Sequence, residues 1–200
     1  MLLSICGTPG VGKTTVCRLL RDRGWDVFDL KGRIEDEDLY DHREEETGEM
    51  VVDPVSLKEY LEECLEDTEN DVVIDGHLSY LAPSDLCIVL RLNPDVIGER
   101  LGTRDYPERK VRENMEAEAV GSVLVEAMEL EEERLGGRRW EDLVEGTGPV
   151  CEIDVTGSGP EEVLKAVLNL ISARKGKILN ELSRYRPGRV DWMEVVAGWY

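Results

Sequence analysis

The sequence predicts an α/β domain in which five parallel strands form one sheet with flanking helices. Five short apolar runs have the composition of buried strands. Segments with helical periodicity separate them, and this alternation is typical of a doubly wound parallel sheet. A glycine-rich sequence links the first run to a helix. The predicted strands are Leu2–Cys6, Asp26–Phe28, Val72–Asp75, Leu86–Arg91 and Cys151–Val155.

Helical segments follow from the spacing of apolar residues three or four positions apart. Ser56 is a good N-cap for the second of them, and Asn93 precedes a proline at the favoured first helical position. Gly136-Gly137 ends the longest segment. The predicted helices are Gly12–Asp22, Ser56–Asp67, Pro94–Leu101, Pro107–Leu135 and Pro160–Ala173.

The charge balance narrows the classes of partner. The chain has 44 acidic and 24 basic residues, a net charge of −20. Such a surface repels nucleic acid and membrane phosphates, and it suits basic partners or a salty cytoplasm. The five cysteines show no Cys-x-x-Cys pairing, which indicates reduced thiols in a cytoplasmic protein. A zinc site is not expected, because only His42 and His77 are available and neither lies near a cysteine pair. The apolar N-terminal run stops at a glycine loop, so it predicts a strand and no signal peptide, and no run is long enough for a membrane span.

The glycine-rich sequence carries the strongest chemical signal. Gly7-Thr8-Pro9-Gly10-Val11-Gly12-Lys13-Thr14 matches the phosphate-loop pattern Gly-x₄-Gly-Lys-Ser/Thr in full. Glycines let several backbone N–H groups point at one polyphosphate, and the helix that follows directs its positive end at the anion. We expect Lys13 to lie between the β- and γ-phosphates of ATP, the Thr14 hydroxyl to bind Mg²⁺, and Thr15 to contact the α-phosphate. The fold class is therefore a P-loop NTPase.

An acidic residue and a histidine follow the third predicted strand. Ligands of open α/β sheets bind at the carboxyl ends of the strands. Asp75 ends the strand there, so we expect it to hold Mg²⁺ directly or through water. His77 either orients an attacking water and contacts phosphates, or hydrogen-bonds a loop.

Arginines supply the charge that phosphoryl transfer needs, because negative charge spreads over the equatorial oxygens of the transferred group. Arg100 and Arg104 are four residues apart and share a helical face, although exposed arginines often serve solubility alone. Gly102 and Pro107 bracket a place where a short lid could hinge. Arg91 ends a predicted strand and is expected to point towards the site.

Two regions depart from the alternation. Residues 35–49 hold nine carboxylates in fifteen positions and predict an exposed, mobile insert. After Ala173 the chain becomes basic and then aromatic, like an appendage to the core domain. Cations beside aromatic rings suit RNA contact, and such a tail also commonly packs on its own domain.

These residues together resemble a known family. The chain resembles the adenylate kinase isoenzyme six family, which comprises the coilin-interacting nuclear ATPase of eukaryotes and its archaeal counterparts. The Asp-x-His strand end combined with Glu-Arg-Leu-x-x-Arg-x-Tyr makes the resemblance specific, and it covers about residues 1–173. The matching segments are Gly7–Thr15, Val27–Leu30, Leu39–Asp41, Val73–His77, Val89–Arg91, Glu99–Leu101 and Thr103–Tyr106.

The resemblance implies an adenylate-kinase-like fold with a short lid and a broad-specificity nucleoside monophosphate kinase (ATP and AMP to two ADP) with ATPase activity. It implies action in late small-ribosomal-subunit maturation and pre-16S rRNA processing, through transient binding of a platform ribosomal protein. It divides the chain into a kinase domain (1–173) with a monophosphate-binding insert (30–53) and a lid (103–113), and a C-terminal extension (174–200). By position it assigns ATP binding to Gly10, Gly12, Lys13, Thr14, Thr15 and the lid residue Arg104, and catalysis to Lys13, Asp75, His77 and Arg104.

Three functions remain open on the residues: a nucleotide kinase, an assembly ATPase without significant kinase activity, and a kinase of another small metabolite. The acidic insert bears on this choice, because an acceptor monophosphate is itself an anion. We hypothesise that the insert also receives a basic ribosomal-protein tail, an attraction that salt would weaken. The alternative is a solvated surface adapted to salt. Replacing Glu44, Glu45 and Glu46 with glutamine would separate the two.

Overall fold

The computed structural model describes residues 1–104, 106–137, 149–176 and 178–199. Within them, five strands form one parallel sheet in the order β2-β5-β1-β6-β7. The predicted fold class is confirmed, and each predicted strand is found to within one residue at either end. The sheet strands are β1 (Leu2–Cys6), β2 (Asp26–Asp29), β5 (Val72–Asp75), β6 (Leu86–Arg91) and β7 (Val150–Asp154); β3 (His42–Arg43) and β4 (Met50–Val51) form a separate hairpin.

Helices cover both faces of the sheet, as the two hydrophobic clusters on its sides show. The helix predicted to begin after Asn93 does so, and the Asn93 side chain caps it by accepting the N–H of Asp95 at 2.9 Å. The helix expected to start at Ser56 starts earlier, because Asp53 is the N-cap and Pro54 occupies the first turn. The helices are α1 (Lys13–Arg21), α2 (Leu30–Asp36), α3 (Pro54–Leu65), α4 (Pro94–Gly102), α5 (Glu108–Val120), α6 (Ser122–Arg134), α7 (Pro160–Gly176), α8 (Leu179–Leu182) and α9 (Met193–Ala197).

The single long helix predicted over 107–135 is wrong. Gly121 has a φ of 70°, in the left-handed region, and it separates α5 from α6. A side chain added at Gly121 would lie 3.4 Å from the guanidinium of Arg91. The break therefore occurs where the chain must pass closely over the buried charge of Arg91. The sequence does not indicate it, because the helical periodicity continues on both sides of Gly121.

The acidic insert, predicted as mobile, has regular structure. Residues 35–49 include the end of α2, strand β3 and the turn of the β3–β4 hairpin, in which His42 pairs with Val51 and Arg43 with Met50. Arg43 forms an ion pair with Glu35 at 2.7 Å. The predicted exposure of the carboxylates holds for most of the insert.

The C-terminal segment (178–199) packs on the core domain. Leu182 is 2% exposed and belongs to the main hydrophobic cluster. The indole N–H of Trp199 donates to Asp95 at 2.8 Å, and the backbone N–H of Val190 donates to Glu152 of β7 at 3.0 Å. The segment thus lies along the β7 side of the sheet.

Two further expectations concern cysteines and membrane spans. All five cysteines are free thiols; four are buried, whereas Cys64 is exposed on α3. Among the residues described, no helix combines the length and the apolar character that crossing a bilayer requires.

Candidate active site

The phosphate loop joins β1, the central strand, to α1. Its glycines Gly7, Gly10 and Gly12 have φ values of 133°, 95° and 111°, which other residues rarely adopt. Gly12 is the N-cap of α1, so the positive end of that helix opens towards the loop. Because parallel strands end at one edge, the carboxyl ends of β1 and β5 meet there, with Ile5 in register with Asp75.

Lys13 folds back on the loop that precedes it. Its ammonium donates to the carbonyl oxygens of Gly7 and Thr8 at 2.7 and 3.1 Å. Burial lowers the pKa of Lys13 to about 8, and the negative charges of Asp75 and Glu118 are among the groups that oppose this fall. The amine of Lys13 is therefore largely protonated at pH 7.

Thr14 and Asp75 form an oxygen-rich corner beside Lys13. Burial raises the pKa of Asp75, while hydrogen bonding from Thr14 and the charge of Lys13 act in the opposite direction. Asp29, at the end of β2, is in register with Asp75, and its charge also raises that pKa. A hydroxyl and a carboxylate are ligands that Mg²⁺ prefers, alongside phosphate oxygens and water. No cluster of three or more acidic, His or Cys ligands is present within the described residues, so a protein-only metal cage is not the arrangement found there.

His77 lies two residues beyond β5, near two lysines. Burial in the cleft, followed by the charges of Lys13 and Lys31, lowers its pKa to about 4. The residue nevertheless keeps solvent-exposed surface. The imidazole is neutral at pH 7 and can accept a hydrogen bond from water or donate one to a phosphate.

Helix α4 forms one wall of the phosphate loop. Leu101 and Ile97 are fully buried, and a Cβ atom added at Gly10 would lie 3.4 Å from Leu101 and 3.9 Å from Ile97. The Arg100 guanidinium donates to the Gly10 carbonyl at 2.9 Å. Arg104 lies two residues beyond the end of α4 with an exposed side chain, so Arg100 is the member of the predicted pair that contacts the loop. Asp105 of the predicted lid motif lies outside the described residues.

Arg91, predicted to point towards the site, is instead buried in an ion-pair cluster. It forms ion pairs with Glu118 at 2.7 Å and with Glu152 at 3.2 Å, and all three side chains are at most 4% exposed. Glu118 in turn accepts the hydroxyl of Thr8. Periodicity could have indicated Glu118, because it lies three and seven positions after the core-facing Met115 and Val111 of the same helix.

The predicted acceptor insert contacts the predicted lid. Lys110, on the first turn of α5, lies 3.1 Å from carboxylate oxygens of both Glu44 and Glu49 in the hairpin. Arg109 pairs with Glu46 at 3.1 Å. Together with the pairs Glu35–Arg43 and Glu37–Arg33, these contacts engage five of the nine insert carboxylates. Much of the acidity of the insert therefore has an internal partner.

Comparison with known proteins agrees with this architecture. A family model described as an AAA domain matches residues 4–121, from β1 through α5. The chain is 37% identical over 196 residues to the "Putative adenylate kinase" of Pyrococcus abyssi, covering 98% of this chain and 93% of that protein. The chain belongs to this family. Another member, from Methanosarcina barkeri, is 36% identical over 198 residues and is covered in full.

The family relationship extends further along the chain than the sequence motifs do. The aligned stretch in the Pyrococcus member covers 98% of this chain, so it includes most of the C-terminal segment that the motifs placed outside the shared core. Among solved structures, a sugar kinase from a Janibacter species superposes with a TM-score of 0.51 at 14% identity, covering 86% of this chain and 94% of that one. That likeness concerns the fold alone.

Proposed function

We propose that the protein is a nucleoside monophosphate kinase that transfers the γ-phosphoryl group of ATP to AMP or a related monophosphate. The observation that carries the proposal is the convergence of Lys13, Thr14 and Asp75 at the carboxyl edge of the sheet, opposite an insert that contacts the lid. The names given to the archaeal family members support the choice of acceptor.

The loop residues have separate tasks in this reaction. The backbone N–H groups of the loop and the first turn of α1 bind the phosphates, and Lys13 neutralises charge on the transferred group. Thr14 and Asp75 would hold Mg²⁺, which supplies electrostatic stabilisation when bound. His77, neutral at pH 7, orients an attacking hydroxyl or water by hydrogen bonding. Arg104, on the exposed turn after α4, reaches the phosphates on lid closure.

Water exclusion decides between transfer to an acceptor and hydrolysis. The ion pairs from Lys110 and Arg109 to the hairpin connect the two segments that would enclose the acceptor. Closure of these two segments favours transfer of the phosphoryl group to the acceptor over its transfer to water. When no acceptor is bound the segments close incompletely, and water then reaches the site, which would account for an accompanying ATPase activity. The contact is therefore expected to matter most when AMP is present.

A cellular role in small-subunit maturation forms the finer part of the proposal. We propose that a basic tail of a platform ribosomal protein binds the exposed acidic insert in the cytoplasm, and that the exposed arginines Arg184, Arg186 and Arg189 contact pre-ribosomal RNA. Glu44 and Glu46 hold lysine and arginine partners, so replacing them also loosens the hairpin. Glu45 is exposed, which makes Glu45→Gln a cleaner test. If Glu45→Gln and the parent bind a basic tail peptide equally well at every salt concentration of a series, this contact is excluded.

The kinase proposal is tested by steady-state ADP formation with and without AMP. We expect AMP to raise the rate of ADP formation strongly, and Lys13→Ala to lower it by roughly a hundredfold or more. Lys58→Ala is the matched control, because Lys58 lies on α3 and pairs with Glu133. A rate that does not respond to AMP supports an assembly ATPase. Acceptance of a sugar or an organic acid in place of AMP supports a different metabolite kinase.

A further inference from the structure

A buried carboxylate lies directly behind the phosphate loop. Glu118, near the end of α5, is 2% exposed, and so is Thr8, the second residue of the loop. The Thr8 hydroxyl donates to one carboxylate oxygen of Glu118 at 2.6 Å. The other oxygen accepts the Arg91 guanidinium at 2.7 Å and the Leu92 backbone N–H at 3.2 Å. Both oxygens are thus hydrogen-bonded, as a buried carboxylate requires.

Charge counting indicates that this carboxylate has a task beyond balancing Arg91. The guanidinium also pairs with Glu152 at 3.2 Å, so two buried carboxylates share the one guanidinium of Arg91. Burying a charge is costly unless it is paired and hydrogen-bonded. Glu152 alone could balance Arg91, whereas Glu118 is the carboxylate of this group that reaches the loop. Besides Arg91, its side chain accepts hydrogen bonds from the Leu92 backbone N–H and from the Thr8 hydroxyl, and the second of these reaches the loop.

Thr8 is the point at which this carboxylate can affect nucleotide binding. The Thr8 carbonyl accepts the Lys13 ammonium at 3.1 Å and the Val11 backbone N–H at 3.3 Å. The hydroxyl of the same residue is held by Glu118 through a charge-assisted hydrogen bond, a strong type of contact. Hydrogen bonds therefore hold both the side chain and the main chain of Thr8, and this fixes the orientation of its peptide within the loop.

We propose that Glu118 is a positioning residue of the phosphate loop: through the Thr8 hydroxyl it holds the loop in the conformation that receives the triphosphate of ATP. The inference rests on the proposed function, since it presupposes that the loop binds ATP. Glu118 lies behind the loop backbone and makes its contribution before the nucleotide arrives, by reducing the conformational freedom that binding would otherwise have to remove.

Four variants of the full chain test the proposal, with the dissociation constant for Mg·ATP measured by calorimetry and stability measured by thermal unfolding. Glu118→Gln offers one acceptor oxygen where two are used, and Thr8→Val removes the hydroxyl at nearly constant volume. We expect each to weaken ATP binding about tenfold, and the double variant to be no worse than either single one. Thr8→Ser keeps the hydroxyl and is expected to bind like the parent.

Glu152→Gln is the matched control. It disrupts an equally buried carboxylate on the same Arg91, so it lowers the melting temperature as Glu118→Gln does, but it leaves the ATP dissociation constant unchanged. The proposal is overturned if Glu152→Gln weakens ATP binding to the same extent, if Glu118→Gln binds like the parent, or if the Thr8 and Glu118 effects add. Should Glu118→Gln fail to fold, equal ATP affinity of Thr8→Val and Thr8→Ser overturns it. A parent protein that does not bind ATP refutes the proposed function itself.

Discussion

The first glycine of the phosphate loop lets the packing of the loop be tested quantitatively. Gly7 has a φ of 133°, and a Cβ atom built there would lie 2.4 Å from the carbonyl oxygen of Leu90 in β6. The conformation costs an alanine about 1–3 kcal/mol, and moving the packed backbone costs about as much again. Gly7→Ala is therefore expected to lose roughly 4 kcal/mol of unfolding free energy, equivalent to about 8–16 °C in melting temperature for a chain of this size.

A second glycine separates the clash from the backbone strain. Gly24 has a φ of 89°, but a Cβ atom there would meet nothing within 4 Å. Gly24→Ala is expected to lose only about 1–2 kcal/mol, or roughly 2–8 °C. Calorimetric unfolding measures the melting temperatures of both variants. ATP titration of Gly7→Ala adds a second test, because the Gly7 carbonyl accepts a hydrogen bond from Lys13 and a displaced loop is expected to weaken ATP binding. If Gly7→Ala melts no lower than Gly24→Ala, or binds ATP like the parent, the described loop packing is incorrect.

Three further changes probe the rest of the site. Lys110→Gln removes the cation that pairs with Glu44 and Glu49 of the hairpin. Hydrogen exchange of the hairpin amides should therefore become about fivefold faster at low salt, with a smaller change at high salt. Equal exchange rates in variant and parent would contradict the contact. Asp75→Asn should raise the Mg²⁺ concentration needed for half-maximal activity about tenfold or more. The affinity for ATP without metal should change little. If the variant and the parent show the same Mg²⁺ titration, Asp75 is not a metal ligand. The pKa of His77, about 4, lies below the usual 6.5, so between these pH values the unfolded chain binds more protons at this residue, and stability falls as the pH drops. NMR titration should show this imidazole still neutral at pH 6, and His77→Gln should flatten that part of the stability profile; a normal titration near 6.5 would disprove the shift.

The parts of the fold that the sequence predicts are those with local signals. Strands β1, β5 and β6 are predominantly apolar runs, since both faces of a parallel sheet are buried. The phosphate loop follows from a motif whose glycines have a direct steric purpose. Lys13, Thr14 and Asp75 then come together because neighbouring parallel strands present their carboxyl ends at one edge.

The parts that escape prediction depend on contacts between distant segments. The β3–β4 hairpin has little apolar periodicity, and its carboxylates are engaged by Lys110 and Arg109, more than 50 positions away in the sequence. Helical spacing places Glu118 on the core-facing side of α5, but its contacts with Thr8 and Arg91 emerge only when α5 is placed against the loop. Arg91 carries a charge at the end of a strand, which suggests a ligand site, and only the packing of β7 reveals Glu152 as its partner.

Transfer of radiolabel from [γ-³²P]ATP tests the central claim most directly. With Mg²⁺ and unlabelled AMP present, the account predicts that the label appears in ADP in the parent protein and that Lys13→Ala loses this transfer. Label released only as inorganic phosphate, at a rate that AMP does not alter, would contradict a nucleoside monophosphate kinase and support hydrolysis at the same loop.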